Sequence, residues 1–77
     1  MFFSTLNSVY EVDLEEKRVR RIEGREAPTA RQGPDGVWKT FDCVTEIKVG
    51  GPVLFSWGEL NNVLKTTLTS DVEKVWE

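Results

Sequence analysis

Between Ser8 and Asp13, Tyr10 and Val12 alternate with Glu11 and Asp13. A period of two puts the apolar pair on one face and the acids on the other, the signature of a half-buried strand. Residues 17–22, Lys-Arg-Val-Arg-Arg-Ile, form a second strand candidate, and the acidic stretch between them reads as a short hairpin loop. Pairing these two strands sets the acids of the first beside the arginines of the second. Residues 24–36 carry three glycines, two prolines and an Asp-Gly, so they read as one long irregular loop. Such a loop is uncommon in a small domain and marks a functional or mobile segment.

The extended pattern resumes at 37–41, where Val37 and Phe41 share a face, and at 44–49, with a break or bulge near Asp42-Cys43. Gly50-Gly51-Pro52 is a turn. Residues 53–57 are apolar on both faces and predict a central strand. A hairpin loop at 58–62 leads to a strand at 63–70. Residues 71–77 fit either a last strand or one short helical turn, since Val72, Val75 and Trp76 fall at i, i+3 and i+4. No longer window carries a helical stripe. Closely spaced strands with Gly, Pro and Asn turns predict an all-β, mainly antiparallel domain over 1–77: a small SH3-like barrel of five to six strands.

The length of 77 residues allows a single domain. Ordering costs roughly 1.5 kcal/mol per residue, so a chain this short stands near the lower limit for one core. Cys43 is the one cysteine and there is no histidine, which leaves no intrachain disulfide and none of the usual zinc sets. A homodimer is one remaining source of stability, and close packing of the three tryptophans is another. No apolar run exceeds three residues, far below the roughly 20 that a bilayer requires. The start lacks the basic and apolar regions of a signal peptide, so the expected location is the cytoplasm.

Charge changes the picture most. Residues 17–31 hold Lys17, Arg18, Arg20, Arg21, Arg25 and Arg31 against two acids, a net of +4. The rest of the chain sets four lysines against eleven acids, a net of −7, which completes the overall −3. All five arginines lie in the basic arm. Their planar forks suit phosphate or carboxylate, so the arm reads as a contact surface; the bland alternative is a solvated strand face paired to Glu11, Asp13, Glu15 and Glu16. A net-acidic domain lacks the broad basic field of nucleic-acid binders, and no aromatic residue interrupts the arm in sequence. Trp38, Trp57 and Trp76 could form an aromatic binding groove, but their default place in so small a domain is the core, with Trp76 the best placed of the three to anchor a partner. Phe2-Phe3 is expected to add to a sheet edge or to an intersubunit contact. No nucleophile–base pair stands out, no cofactor motif is present, and Cys43 has no histidine to activate it, so an enzyme is not expected.

Several short motifs then carry a resemblance. Asn7-Ser8-x-Tyr10-Glu11-Val12-Asp13, Arg20-Arg21-Ile22 and Pro28-Thr29 in the front half resemble those of short non-structural proteins from actinobacterial phages. Trp38-Lys39-x-Phe41, Val49-Gly50-x-Pro52-x-Leu54-Phe55-x-Trp57 and Thr69-Ser70-x-Val72 do the same in the back half. The resemblance spans most of the chain and brings no catalytic residue with it. It implies a small protein that docks on one host protein, for host takeover or evasion of defence, in the host cytoplasm. The expected contact residues are Arg18, Arg20, Arg21, Arg25, Arg31 and Trp76. Two other classes stay open: a nucleic-acid-binding domain using the same arginines, and a self-associating structural or virion accessory protein.

Overall fold

The computed structural model describes residues 1–24 and 34–77. The strands are β1 (Phe2–Thr5), β2 (Ser8–Asp13), β3 (Arg18–Gly24), β4 (Lys39–Thr40), β5 (Cys43–Val44), β6 (Leu54–Leu60), β7 (Val63–Leu68) and β8 (Val72–Trp76). All pairings are antiparallel and no helix occurs among the described residues. One sheet runs β4-β3-β2-β1-β8 and the other β5-β6-β7. The expected all-β, antiparallel class therefore holds. Among the described residues the ladders do not close into a continuous barrel, and eight strands stand where five or six were expected; the one not expected as a strand of its own is β1, which residues 2–5 form between β2 and β8. The 71–77 stretch is a strand, with Val75 and Trp76 paired to Phe3 and Phe2.

Local chemistry explains the joints. In the β2–β3 turn, Glu16 donates its backbone N–H to Asp13 Oδ1 at 3.0 Å, and Lys17 takes a left-handed φ of 53°. The β6–β7 turn is only Asn61-Asn62, with φ of 55° and 63°. Two successive left-handed residues make the tight turn that matches strand twist, and asparagine tolerates that region. The hairpin loop expected over 58–62 is thus shorter, and Gly58 belongs to β6. Its φ of 101° accompanies the register shift between Ser56 and Gly58, where a residue with Cβ would be strained.

The core lies between the two sheets. Phe3, Tyr10, Val12, Val19, Phe41, Val53, Phe55 and Val72 are buried in one cluster. Alternation delivers them: Tyr10 and Val12 from β2 and Val19 from β3 point inward, while their sequence neighbours point out. Phe55 is the hub. Its ring lies 6.5 Å from Phe3, 5.4 Å from Phe41 and 5.6 Å from Trp57. Phe3 in turn stacks on Tyr10 at 4.8 Å. None of Trp38, Trp57 and Trp76 is fully buried: Trp57 packs against the core cluster as expected, while phenylalanines and valines fill its centre and Trp38 and Trp76 stay half-buried outside it. β1 is also no edge addition: it pairs with β2 on one side and β8 on the other, and Phe3 is wholly buried.

Backbone bonds fasten the sheets where the chain passes between them. Phe41 N–H donates to Lys17 O at 2.8 Å in one sheet, and Asp42 N–H donates to Ser56 O at 2.7 Å in the other. Across the opposite side, Gly50 N–H donates to Val72 O, and Val72 N–H to Gly51 O, both at 2.9 Å. Replacing Phe55 by alanine opens the hub between both sheets and should cost about 3–5 kcal/mol. Urea unfolding of the variant checks this; a loss below about 1 kcal/mol would show that the core does not centre on Phe55.

Candidate functional site

The outer face of the five-stranded sheet gathers the chemically distinctive side chains. In β3, Val19 and Arg21 point inward, so Arg18 and Arg20 point outward. Register then builds a row across the sheet. Trp76 pairs with Phe2, Phe2 with Glu11, and Glu11 with Arg20. Trp38 ends the row, one residue before β4, whose Lys39 and Thr40 pair with Val19 and Arg18.

The Trp38 ring receives two guanidinium groups. Arg18 Cζ lies 4.4 Å and Arg20 Cζ 4.6 Å from its centroid, well inside the range of cation–π attraction. Each arginine is also bound to an acid of β2. Arg20 reaches Glu11 Oε1 through Nη2 at 2.5 Å and through Nε at 2.7 Å. Arg18 Nε donates to Asp13 Oδ2 at 3.3 Å. The sequence reading had set these acids beside these arginines, and the structure does so. Asp13 is held below the usual carboxylate range, first by the Glu16 N–H and further by the hydrogen bond and charge of Arg18, with partial desolvation acting the other way.

At the far end of the row, Trp76 stacks on Phe2 with centroids 5.7 Å apart and planes 11° from parallel. Lys74 Nζ lies 5.4 Å from the Trp76 centroid. Trp38 and Trp76 are both half-buried, so each keeps part of its ring accessible. Next to Trp38 and Arg18 opens a groove of about 470 Å³ that also involves Glu11, Asp13, Leu14 and Glu15.

Arg21 does not belong to this surface, contrary to its expected contact role. It is 6% exposed and turns to the inner side of the sheet. Its Nε lies 3.0 Å from Asp35 Oδ1, and its carbonyl accepts the Gly36 N–H at 2.7 Å. The guanidinium lies against Gly24, where a Cβ would approach Nε to 2.6 Å. Arg21 therefore holds residues 35–36 onto the sheet end. Strand parity alone separates it from Arg20. Arg25 and Arg31 lie outside the described residues, as does most of the expected 24–36 loop. The site thus keeps Arg18, Arg20 and Trp76 and gains Trp38, Glu11 and Phe2.

Trp38 is the residue that sequence reasoning assigned to the core by default and did not count among the contact residues. The basic arm has no aromatic in its own stretch, and strand pairing supplies one from 18 positions after Arg20. The available signal was the period-two match of 38 and 40 with 18 and 20, legible only once β3 and β4 are known to pair. Cys43 is exposed, and among the described residues no group of three or more His, Cys, Asp or Glu side chains is placed to hold a metal.

The two arginine classes separate in stability measurements. Arg20→Ala removes a partly exposed pair and should cost less than about 1 kcal/mol. Arg21→Ala strips a buried group from its contacts and should cost about 1–3 kcal/mol. Thermal denaturation of both variants checks the order, and equal losses would contradict the inward placement of Arg21. The acid range reports on Asp13. Because its folded pKa is depressed below the ordinary 3.8, its stabilising effect is present above that value and fades as pH falls through the lower folded pKa. Asp13→Asn should therefore weaken the fold at neutral pH, and the gap to wild type should close in strong acid; a gap independent of pH would contradict the assignment. No protein-family model, no curated protein and no solved structure matches this chain.

Proposed function

We propose that the chain is a non-catalytic binding module that docks on a partner protein through the outer face of its five-stranded sheet. The observation that carries this reading is the Trp38 ring with Arg18 and Arg20 stacked on it and Glu11 and Asp13 bound to them. Tryptophan and arginine are the residue types that dominate interface energies. Here they are held in place by strands and ion pairs before any partner arrives, which lowers the ordering cost of binding. A sheet face with an aromatic at each end of one row gives two anchors, Trp38 and Trp76, on a hydrogen-bonded frame. The resemblance of the chain to short phage proteins supports a host protein as the partner class, met in the host cytoplasm. The two sheets read as an opened SH3-like barrel: one bent segment, β4 and β5, serves both, and the last strand returns beside the first.

Nucleic acid fits the same face less well. Its phosphates require cations that are free to exchange counterions, whereas the guanidinium groups of Arg18 and Arg20 are already matched by carboxylates. The chain as a whole is acidic at −3. Capture from a host lysate with immobilised protein, with and without nuclease, separates the two readings. The expected result is one protein retained in fixed proportion after nuclease treatment, and lost with Trp38→Ala while the melting temperature stays within a few degrees. Retention that nuclease abolishes would move the function to nucleic acid. Retention untouched by Trp38→Ala would remove this face from the binding surface.

A further inference from the structure

We propose that the groove beside Trp38 receives an arginine side chain of the docking partner, its stem against Trp38 and Leu14 and its guanidinium among Glu11, Glu15 and Glu77. The inference rests on the protein-docking reading above and names the chemistry that the partner brings. Strand order builds the groove. Its floor is Glu11-Val12-Asp13 of β2, continued by the turn residues Leu14 and Glu15. Arg18 and Trp38 stand on the side of β3 and β4. Met1 and Glu77 stand on the other side, next to β1 and β8. The space of about 470 Å³ admits a long side chain. Leu14 is 52% exposed and the Trp38 ring is half-buried, so both offer apolar surface that the methylene stem of a long cationic side chain can cover.

Charge complementarity selects the occupant. The side-chain carboxylates of Glu11, Asp13, Glu15 and Glu77 line the groove, against the one guanidinium of Arg18. Asp13 is engaged on both oxygens, by the Glu16 N–H on Oδ1 and by Arg18 Nε on Oδ2. Glu11 takes both Arg20 contacts on Oε1, which leaves Oε2 as an acceptor. Glu15 and Glu77 are exposed, and among the described residues neither side chain forms an ion pair. The Met1 nitrogen is directed at Val12 O at 3.0 Å. The groove therefore repels phosphate and acidic segments and attracts a cation. Among the described residues no three acidic side chains converge as a metal site requires, so the complement is an organic cation. Arginine fits these acceptors better than lysine. Its planar fork carries five N–H donors and can serve carboxylates on both sides of the groove, whereas lysine is a point charge.

Titration of the purified full chain with Nα-acetyl-arginine methylamide, followed by NMR, tests the site. Saturable shifts should centre on the Trp38 indole N–H and the Leu14 and Glu15 amides. The citrulline analogue has nearly the same shape without the charge and should leave those signals in place. The lysine analogue should bind more weakly than the arginine one. The double variant Glu15→Gln, Glu77→Gln changes two exposed positions, so it should keep the melting temperature while weakening binding at least about threefold. No saturable shift, equal shifts with citrulline, lysine binding as tight as arginine, or wild-type affinity in the double variant would each overturn the proposal. Lysate capture separates this inference from the docking reading beneath it. A partner retained equally by the double variant but lost with Trp38→Ala would overturn the arginine groove and keep the docking face. Retention indifferent to Trp38→Ala would overturn the docking face, and this inference with it.

Discussion

Phe55 is the contact on which the two sheets depend. Its ring meets Phe3 from the five-stranded sheet and Phe41 from the segment that passes between sheets, and Trp57 stacks on it from its own strand. A domain of 77 residues has little interior to divide. One aromatic hub that touches both layers uses that interior efficiently, since large rings bury the most apolar area per residue. The backbone bonds at Phe41–Asp42 and at Gly50–Val72 then fix how the layers meet.

Of the three tryptophans, Trp57 packs against the core beside Phe55, while Trp38 and Trp76 lie half-buried on the outer face of the five-stranded sheet. A ring on a sheet surface needs neighbours to cover it. Trp38 finds the stems and guanidinium groups of Arg18 and Arg20, and Trp76 finds Phe2 and Lys74. Arginine stacked on tryptophan keeps its hydrogen-bonding fork free for a carboxylate, and Glu11 and Asp13 take it up. At Arg18 and Arg20 the positive charge is thus matched by carboxylates within the same sheet.

Arg21 shows how one position reverses a role. It has the same side chain as Arg20 and sits beside it, yet it points to the other side of the strand, where Asp35 and Gly24 receive it. A buried cation is costly unless paired, so this residue ties residues 35–36 to the sheet end rather than meeting a partner.

Alternation along residues 8–13 and 17–22, together with the absence of helical periodicity, determined the all-β antiparallel class from the sequence alone. The pairing of Glu11 and Asp13 with the arginines was legible for the same reason: a short hairpin leaves few registers. Those are local properties, carried by spacing within a dozen residues. What lay beyond them was non-local. The position of β1 between β2 and β8 depends on a pairing across the whole chain, from Phe2 to Trp76. The meeting of Trp38 with Arg18 and Arg20 depends on β3 pairing with β4 across the long intervening segment. The burial of Arg21 depends on which face of β3 met the core. Periodicity sorts residues into two faces, but only the tertiary structure decides which face turns inward and what lies opposite, because those choices minimise exposed apolar area over the whole molecule.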